Sequence, residues 1–478
     1  MIIKGYVFSI LYVLVCLLVA MGIYKLGAPK HVTRKIVHIL VGFEWVILYH
    51  FFGAPSLNFL AVCVLFLLLL LLEYKLSLVP MMSSDGDNAP GTVYYAAAMS
   101  IMALVTLFLP NMIYPFGISV FCTSLGDGFA GLAGQAVKRH NVKIWNQKSL
   151  VGSIVNFAVC FAVAFVFSRC YGFDLSVLSC IVIAAFALEL ELFSGKGLDN
   201  ILITLGVSFL TYSLMYFDRV WSYIVPILLT PLVIALCLKK KALTPMAVVS
   251  ALMMDIAVSV AFGNVGFVVL IIFFAGSILT DKFKKKRNKT EQSINAESNC
   301  RGISQVFANG FIAMLCAVLY ALTAEKSLFV MFVAVMAEAF ADTVASGIGS
   351  SAKQVYDIFR FEKCQRGMSG GVSVVGTLAS LLASFLLAAV PLCVGAINAF
   401  EFLLVGCVGF VGGFFDSFLG SLVQAKYKCS VCGRVVEKPL HCSEEATLCR
   451  GISFVTNSVV NFLSTVFTGL LAFALYCL

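Results

Sequence analysis

Three aspartates in this chain sit in apolar surroundings, with small residues one helical turn further on. The stretch SLGDGFAGLAG places Asp127, Gly131 and Gly134 at i, i+4 and i+7, and AEAFADTVASGIG places Asp342, Ser346 and Gly349 at the same spacing. A third stretch, GGFFDSFLGS, holds Asp416 and Gly420 at i and i+4. On a helix such positions share one face. An aspartate at the centre of a membrane helix costs about 2.5–3.5 kcal/mol on insertion scales, so it is rarely idle. The bland role is helix packing through small residues, with the carboxylate hydrogen-bonded across the interface. The chemical role is suggested by position, because each motif lies beside a loop rich in Lys and Arg. Carboxylates next to basic groups suit Mg²⁺ and a polyphosphate, the metal being held by one or two carboxylates plus phosphate oxygens. Asp127, Asp342 and Asp416 are therefore the candidate catalytic and metal-binding carboxylates.

Further residues extend this pattern. RKIVHILVG puts Arg34, Lys35 and His38 at the start of an apolar run, and helical spacing brings Arg34 and His38 onto one face as candidate phosphate contacts. Each of the first two acidic motifs is followed by a loop and a Ser/Gly-rich helix start. In the first case this is Lys148, Ser149, Gly152 and Ser153; in the second it is Ser369, Gly370, Gly371, Ser373 and Gly376. Such backbone suits phosphate oxygens. Glu191 and the Asp199-Asn200 pair flank the short turn FSGKG as further candidate metal ligands, against a reading as helix caps. The last polar loop holds Cys429, Cys432, His441 and Cys442. C-x2-C followed by His-Cys has zinc-ligand composition; the alternative is free thiols in a loop.

The elements that must carry these residues can be read from composition. Hydrophobic residues make up 61% of 478 positions and charged residues 12%, against roughly 25% charged in a soluble domain. The apolar residues form continuous runs of about 17–25, long enough to cross a hydrocarbon core of ~30 Å. About 16 such runs predict an all-α polytopic membrane protein. The first run lacks a basic start and a small-residue cleavage site, so it is expected to be retained as a helix. The polar segments alternate between basic ones, such as 138–148, 281–301 and 426–450, and short neutral ones. With an even helix count and the N-terminus outside, about 29 of the 33 Lys and Arg fall on the cytoplasmic side. The net charge of +9 thus reflects membrane orientation, and its spread over many loops argues against a nucleic-acid partner. Most of the 17 cysteines lie singly in apolar runs, which argues against a disulfide framework. The Lys239–Lys241 triplet ends a first half, residues 1–241, and a second, 242–478, begins the acidic pattern again.

These motifs resemble known families. The first half looks like the phytol kinase and dolichol kinase family of CTP-dependent polyprenol kinases, distant relatives of phosphatidate cytidylyltransferase. The resemblance rests on RKIVHILVG, GTVYY (Gly91 to Tyr95), SLGDGFAGLAG, NQKSLVGS and ELFSGKGLDN. The second half is similar to the phytyl-phosphate kinase family through LTPMAVVSALMM, FFAGSILT, CRGISQVFANG, FADTVASGIG, RGMSGGVSVVGT, FFDSFLGSLVQAKY and RGISFVTNSVVN. That resemblance implies an active site containing Asp342, Asp416 and the Asn457/Asn461 pair, with Arg301, Gln305 and Asn309 on the substrate or nucleotide. The family commonly has an aspartate after the first asparagine, where this chain has Ser458.

Together the halves imply a fused kinase taking a prenyl alcohol to its monophosphate and then its diphosphate, with Mg²⁺ and CTP or another NTP as co-substrate. The expected setting is a prokaryotic cytoplasmic membrane, with both sites facing the cytoplasm. Two other readings fit the same residues. One is a CTP-dependent lipid cytidylyltransferase; the other is a transporter built from two related halves, against which the acids lie towards the basic face instead of the midplane.

Overall fold

The computed structural model describes residues 1–76, 91–137, 142–145, 148–195, 197–217, 220–240, 242–287, 301–352 and 354–478. Lys196 of the FSGKG turn, Lys353, and parts of the 138–148 and 281–301 loops lie outside these residues.

Every one of the sixteen apolar runs falls on helix. Without water to satisfy backbone groups, a lipid-exposed segment has little choice but to bond to itself. Thirteen of the described helices are long and apolar enough to cross a membrane. The remaining runs are two shorter or less apolar helices, Val177–Phe193 and Asp199–Phe217, and one run merged with its predecessor across a break at Gly263. Helix α1 (Ile2–Lys25) shows the logic of such a span: Gly5, Ser9, Cys16 and Ala20 are its buried residues, while Leu11, Val15 and Leu18 face outward. Small residues pack inward and large apolar ones meet lipid, the reverse of a soluble helix.

The packing divides the chain into two units, Met1–Pro231 and Leu232–Leu478. In the first, α1 is followed by α2 (Lys30–Val41), α3 (Glu44–Phe52), α4 (Leu57–Leu76), α5 (Gly91–Phe108), α6 (Ile113–Phe121) and α7 (Gly128–Ala136). A short antiparallel pair, β1 (Lys143–Trp145) and β2 (Lys148–Ser149), leads into α8 (Leu150–Tyr171). The unit continues through α9 (Val177–Phe193) and α10 (Asp199–Phe217), and α11 (Ile224–Lys239) carries the chain across the division. A core of rings, Trp45, Tyr49, Phe121, Phe167 and Tyr171, ties α3, α6 and α8 together.

The second unit opens with α12 (Pro245–Arg287), broken at Gly263, then α13 (Ile303–Thr323) and α14 (Lys326–Gly349). An antiparallel pair, β3 (Tyr356–Asp357) and β4 (Gly371–Val372), leads into α15 (Val374–Cys393). Helix α16 (Ala399–Leu422) comes next, then β5 (Lys426–Lys428), β6 (Val435–Val436), β7 (Leu440–His441), β8 (Glu444–Glu445), β9 (Thr447–Arg450) and finally α17 (Asn457–Cys477). Helix α14 is the axis of this unit: Phe332 to Ala337 are fully buried against α12, α13, α15, α16 and α17.

The two units share a local device. In each, an acidic helix runs through a two-strand hairpin into a helix capped by serine. Ser149 accepts from the Gly152 N–H at 3.2 Å, and Ser373 from the Gly376 N–H at 3.2 Å. The hairpins were expected as plain loops, because strands of two or three residues carry no readable alternation.

Candidate functional site

In the first unit the acidic motif enters through a π-helical turn, Cys122–Asp127, between α6 and α7. Such a turn inserts one extra residue and re-aims the side chains beyond it. Asp127 emerges 5% exposed. Lys35 Nζ donates to its Oδ2 at 2.5 Å and to its carbonyl oxygen at 3.3 Å. His38 Nε2 lies 3.7 Å from the same carboxylate and donates to the Thr123 carbonyl at 3.1 Å. Gly131 makes room for this lysine, since a Cβ there would sit 2.7 Å from Lys35 Cε.

Lys148, carried by β2, completes the cluster. Its Nζ lies 3.9 Å from Asp127 and 3.6 Å from Asp199, and it hydrogen-bonds Glu191. Burial alone would lower its pKa, but these three carboxylates hold the ammonium well above the ordinary lysine range. Asn200 Nδ2 donates to the Gly91 carbonyl at 2.9 Å, leaving its Oδ1 without a partner among the described residues.

A cavity of about 670 Å³ opens onto this cluster. Its polar end holds Arg34, Lys35, His38, Asp127 and Asp199, and its walls are apolar, with Leu14, Leu17, Phe66, Leu69 and Met99 among them. Spacing paired Arg34 with His38; instead Lys35 turns inward beside His38, at i and i+3, while Arg34 is exposed at the cavity edge. Ser149 and Gly152 stand apart from the lining and pack against α7. Glu44, missed in the sequence, lines the same cavity at 3% exposure and accepts from Ser9. An acid beside Trp45 inside an apolar run was its signal.

The second unit holds a cavity of about 620 Å³ with a different lining. Asp342, Asp416, Arg301, Gln305, Asn309, Ser369, Gly370, Gly371, Ser373, Asn457, Ser458 and Asn461 all border it. The structure therefore brings together every candidate of this half apart from the cysteine loop. Ser464 Oγ lies 2.7 Å from Glu338 Oε1 and 3.2 Å from Asp416 Oδ2, one hydroxyl between two carboxylates. Glu338, 1% exposed, was also missed, although it precedes Asp342 by one helical turn. Its Oε2 and the Oδ1 of Asn461 have no partner among the described residues. Asn461 Nδ2 donates to Asn309 at 3.1 Å. Among the described lining residues Arg301 is the one cationic side chain, and it pairs with Asp281 at 3.2 Å.

The Ser369-Gly370 loop is held from three sides. The Ser369 N–H donates to Glu437 at 2.7 Å, Lys426 Nζ donates to the Ser369 carbonyl at 2.9 Å, and Gln424 Nε2 donates to its hydroxyl at 3.0 Å. Ser369 Oγ in turn lies 3.4 Å from Asn457 Oδ1. Only glycine fits at 370, with φ of +84° and the Ser421 nitrogen 2.5 Å from where a Cβ would be. The Cys429, Cys432, His441 and Cys442 side chains gather separately from both cavities, their ligand atoms within 4.8 Å of one another.

Apolar spans enclosing carboxylate clusters define a polytopic α-helical integral membrane protein with buried ionic sites. The chain belongs to the family described as Integral membrane protein DUF92, which matches residues 228–469. It is 30% identical over 195 residues to a protein of Synechocystis named "Phytol kinase", covering 40% of this chain and 82% of that one. It is 30% identical over 172 residues to the chloroplastic protein VTE6 of Arabidopsis thaliana, covering 35% of this chain and 52% of VTE6. Protein PGR of the same plant is 28% identical over 232 residues, 43% of this chain and 79% of PGR. No solved structure matches the chain.

Proposed function

We propose that this protein is a prenol kinase of two parts, the first unit phosphorylating a prenyl alcohol and the second converting the monophosphate to the diphosphate, with CTP or another nucleoside triphosphate and Mg²⁺. The observation that carries the reading is the cavity whose apolar walls end on Lys35, His38 and Asp127. It offers one compartment to an alkyl chain and to phosphoryl chemistry. The resemblance to a phytol kinase supports the same substrate class.

In the first unit, Lys35 and Lys148 would exchange part of their hold on Asp127 for the nucleotide phosphates, freeing Oδ2 for the substrate hydroxyl. The alcohol oxygen then bonds to the terminal phosphorus as the bond to the bridging oxygen breaks. A nucleoside diphosphate leaves, and the proton passes to Asp127. In the second unit the acceptor phosphate is already anionic, so no base is required. Here the residues would fit a hard divalent cation: Asp342 and Asp416 border the cavity with carboxylate oxygen, the unpartnered Asn461 Oδ1 adds a donor of the same kind, and Glu338 stands behind them, joined to Asp416 through Ser464. Bound Mg²⁺ would neutralise phosphate charge and favour in-line transfer. Arg301 and Gln305 would hold the acceptor or leaving phosphate, and the Gly370 turn would position the loop beside it.

The test is to supply purified protein with CTP, Mg²⁺ and either a prenyl alcohol or a prenyl monophosphate. Release of CDP with stepwise appearance of mono- and diphosphate is expected. Release of pyrophosphate with a CDP-linked lipid would establish a cytidylyltransferase instead. We further propose that residues 426–450 face the cytoplasm; labelling of a single cysteine there by an impermeant reagent on intact cells would reverse that orientation.

A further inference from the structure

We propose that Cys429, Cys432, His441 and Cys442 bind one Zn²⁺, and that this ion fixes the loop presenting Glu437 to Ser369. The metal site is independent of the kinase reading; only the use made of Glu437 touches it.

Four ligand atoms lie within 4.8 Å of one another, close enough to share one ion. His441 Nδ1 lies 3.5 Å from Cys432 Sγ and 3.2 Å from Cys442 Sγ. Zn–S of about 2.3 Å and Zn–N of about 2.0–2.1 Å put ligand atoms roughly 3.5–3.8 Å apart along the edges of a tetrahedron. Three thiolates and an imidazole select zinc over Mg²⁺ or Ca²⁺, which take oxygen. None of the three cysteines is in a disulfide.

Two neighbouring ligands, His441 and Cys442, are awkward on an ordinary backbone. Here Cys442 and Ser443 both adopt left-handed φ, 54° and 64°, between β7 and β8. That conformation costs a non-glycine residue roughly 1–2 kcal/mol and is normally left to Asn-Gly. It turns the Cys442 thiol to the side of the His441 ring. Something must hold the strain in place, and the loop has little core to do it. Its strands are two to four residues long, and between Lys428 and Arg450 only Cys429 and Val436 are buried. Small elements of this kind usually need a staple. Between the two ligand pairs sits Glu437, which accepts from the Ser369 N–H at 2.7 Å.

The experiment uses the full chain in detergent, purified without chelator. Elemental analysis should find about one zinc per chain, and a Cys432→Ser/Cys442→Ser double variant should have almost none, while Cys449→Ser keeps it. Replacement with Co²⁺ should give the visible absorption of tetrahedral thiolate cobalt. Alkylation of wild-type protein should spare the ligand thiols until a chelator is added, which keeps the test decisive if the variant fails to fold. Chelation should also speed hydrogen exchange at Ser369. Wild-type protein without metal, iron in place of zinc, prompt alkylation of all three thiols, or a disulfide among them would overturn the site. Zinc with unchanged exchange at Ser369 would overturn its link to Glu437.

Discussion

The two units of this chain build their sites on one frame and balance the carboxylates in them differently. Each has an acidic helix, a hairpin, a serine-capped helix, an acid near the end of the next helix, and an asparagine at the start of the one after. Those last positions are Glu191 and Asn200 in the first unit, Asp416 and Asn457 in the second. In the first unit Lys35 lies within 4 Å of Asp127, and Lys148 within 4 Å of Asp127, Glu191 and Asp199, so two cations offset most of the charge of three carboxylates. In the second, Gln305 and Asn309 line the cavity and Glu338 and Asp416 share a serine hydroxyl. Buried carboxylates grouped in that way need a counter-ion, because charge removed from water is stable only when paired. The first site therefore carries its own cations, whereas for the second a bound cation is what we propose.

The largest effects should separate the two sites. Asp127→Asn is expected to lower alcohol phosphorylation by about 10²-fold or more while sparing the monophosphate step, and Asp342→Asn the reverse. Rates with each acceptor supplied alone measure this; equal loss of both steps in folded protein would mean one shared site. Next, Lys148→Met should destabilise the first unit by roughly 3 kcal/mol, because Glu191 loses its partner in a buried setting. Adding Glu191→Leu should recover most of the melting temperature without restoring activity; a single variant that melts like wild type would show the cluster is not self-neutralising. Asp416→Asn should cost at least about tenfold in the second step, about 1.4 kcal/mol, with partial rescue by excess Mg²⁺. Unchanged Mg²⁺ dependence would reduce Asp416 to a packing residue. The smallest effect is expected of Ser458→Asp, which borders the same cavity and should change the second step within roughly twofold.

Helical spans and the acidic motifs were legible because a membrane imposes long apolar runs and makes each exception conspicuous. Spacing along one helix identified Asp342 with Gly349 and Asp127 with Gly131, since those contacts repeat every turn. What spacing could not give was the choice between neighbours: Lys35 and not Arg34 faces Asp127, a matter of a rotation set by α7. Glu338 and Glu44 were visible as acids in apolar runs, but neither has a basic loop beside it, and only packing shows that Ser464 and Ser9, distant in sequence, reach them. The cysteine quartet was readable in composition, yet its adjacent His-Cys pair made sense only once the left-handed turn at Cys442 was seen.

The π turn at Cys122–Asp127 has a consequence for how such a site is inherited. It amounts to one surplus residue in an otherwise regular span. Each residue of an α-helix advances the side chains by about 100°, so deleting a single codon between 122 and 126 would straighten the helix while leaving its length and hydropathy suited to the bilayer. The wide turn takes up that surplus residue, so α7 keeps its aim and Asp127 stays turned towards Lys35 and Lys148; the deletion would alter only the side chains inside the turn, where Gly126 packs against Cys160 and Asn156. A span can thus gain or lose one codon here while the ion cluster beyond it is inherited intact.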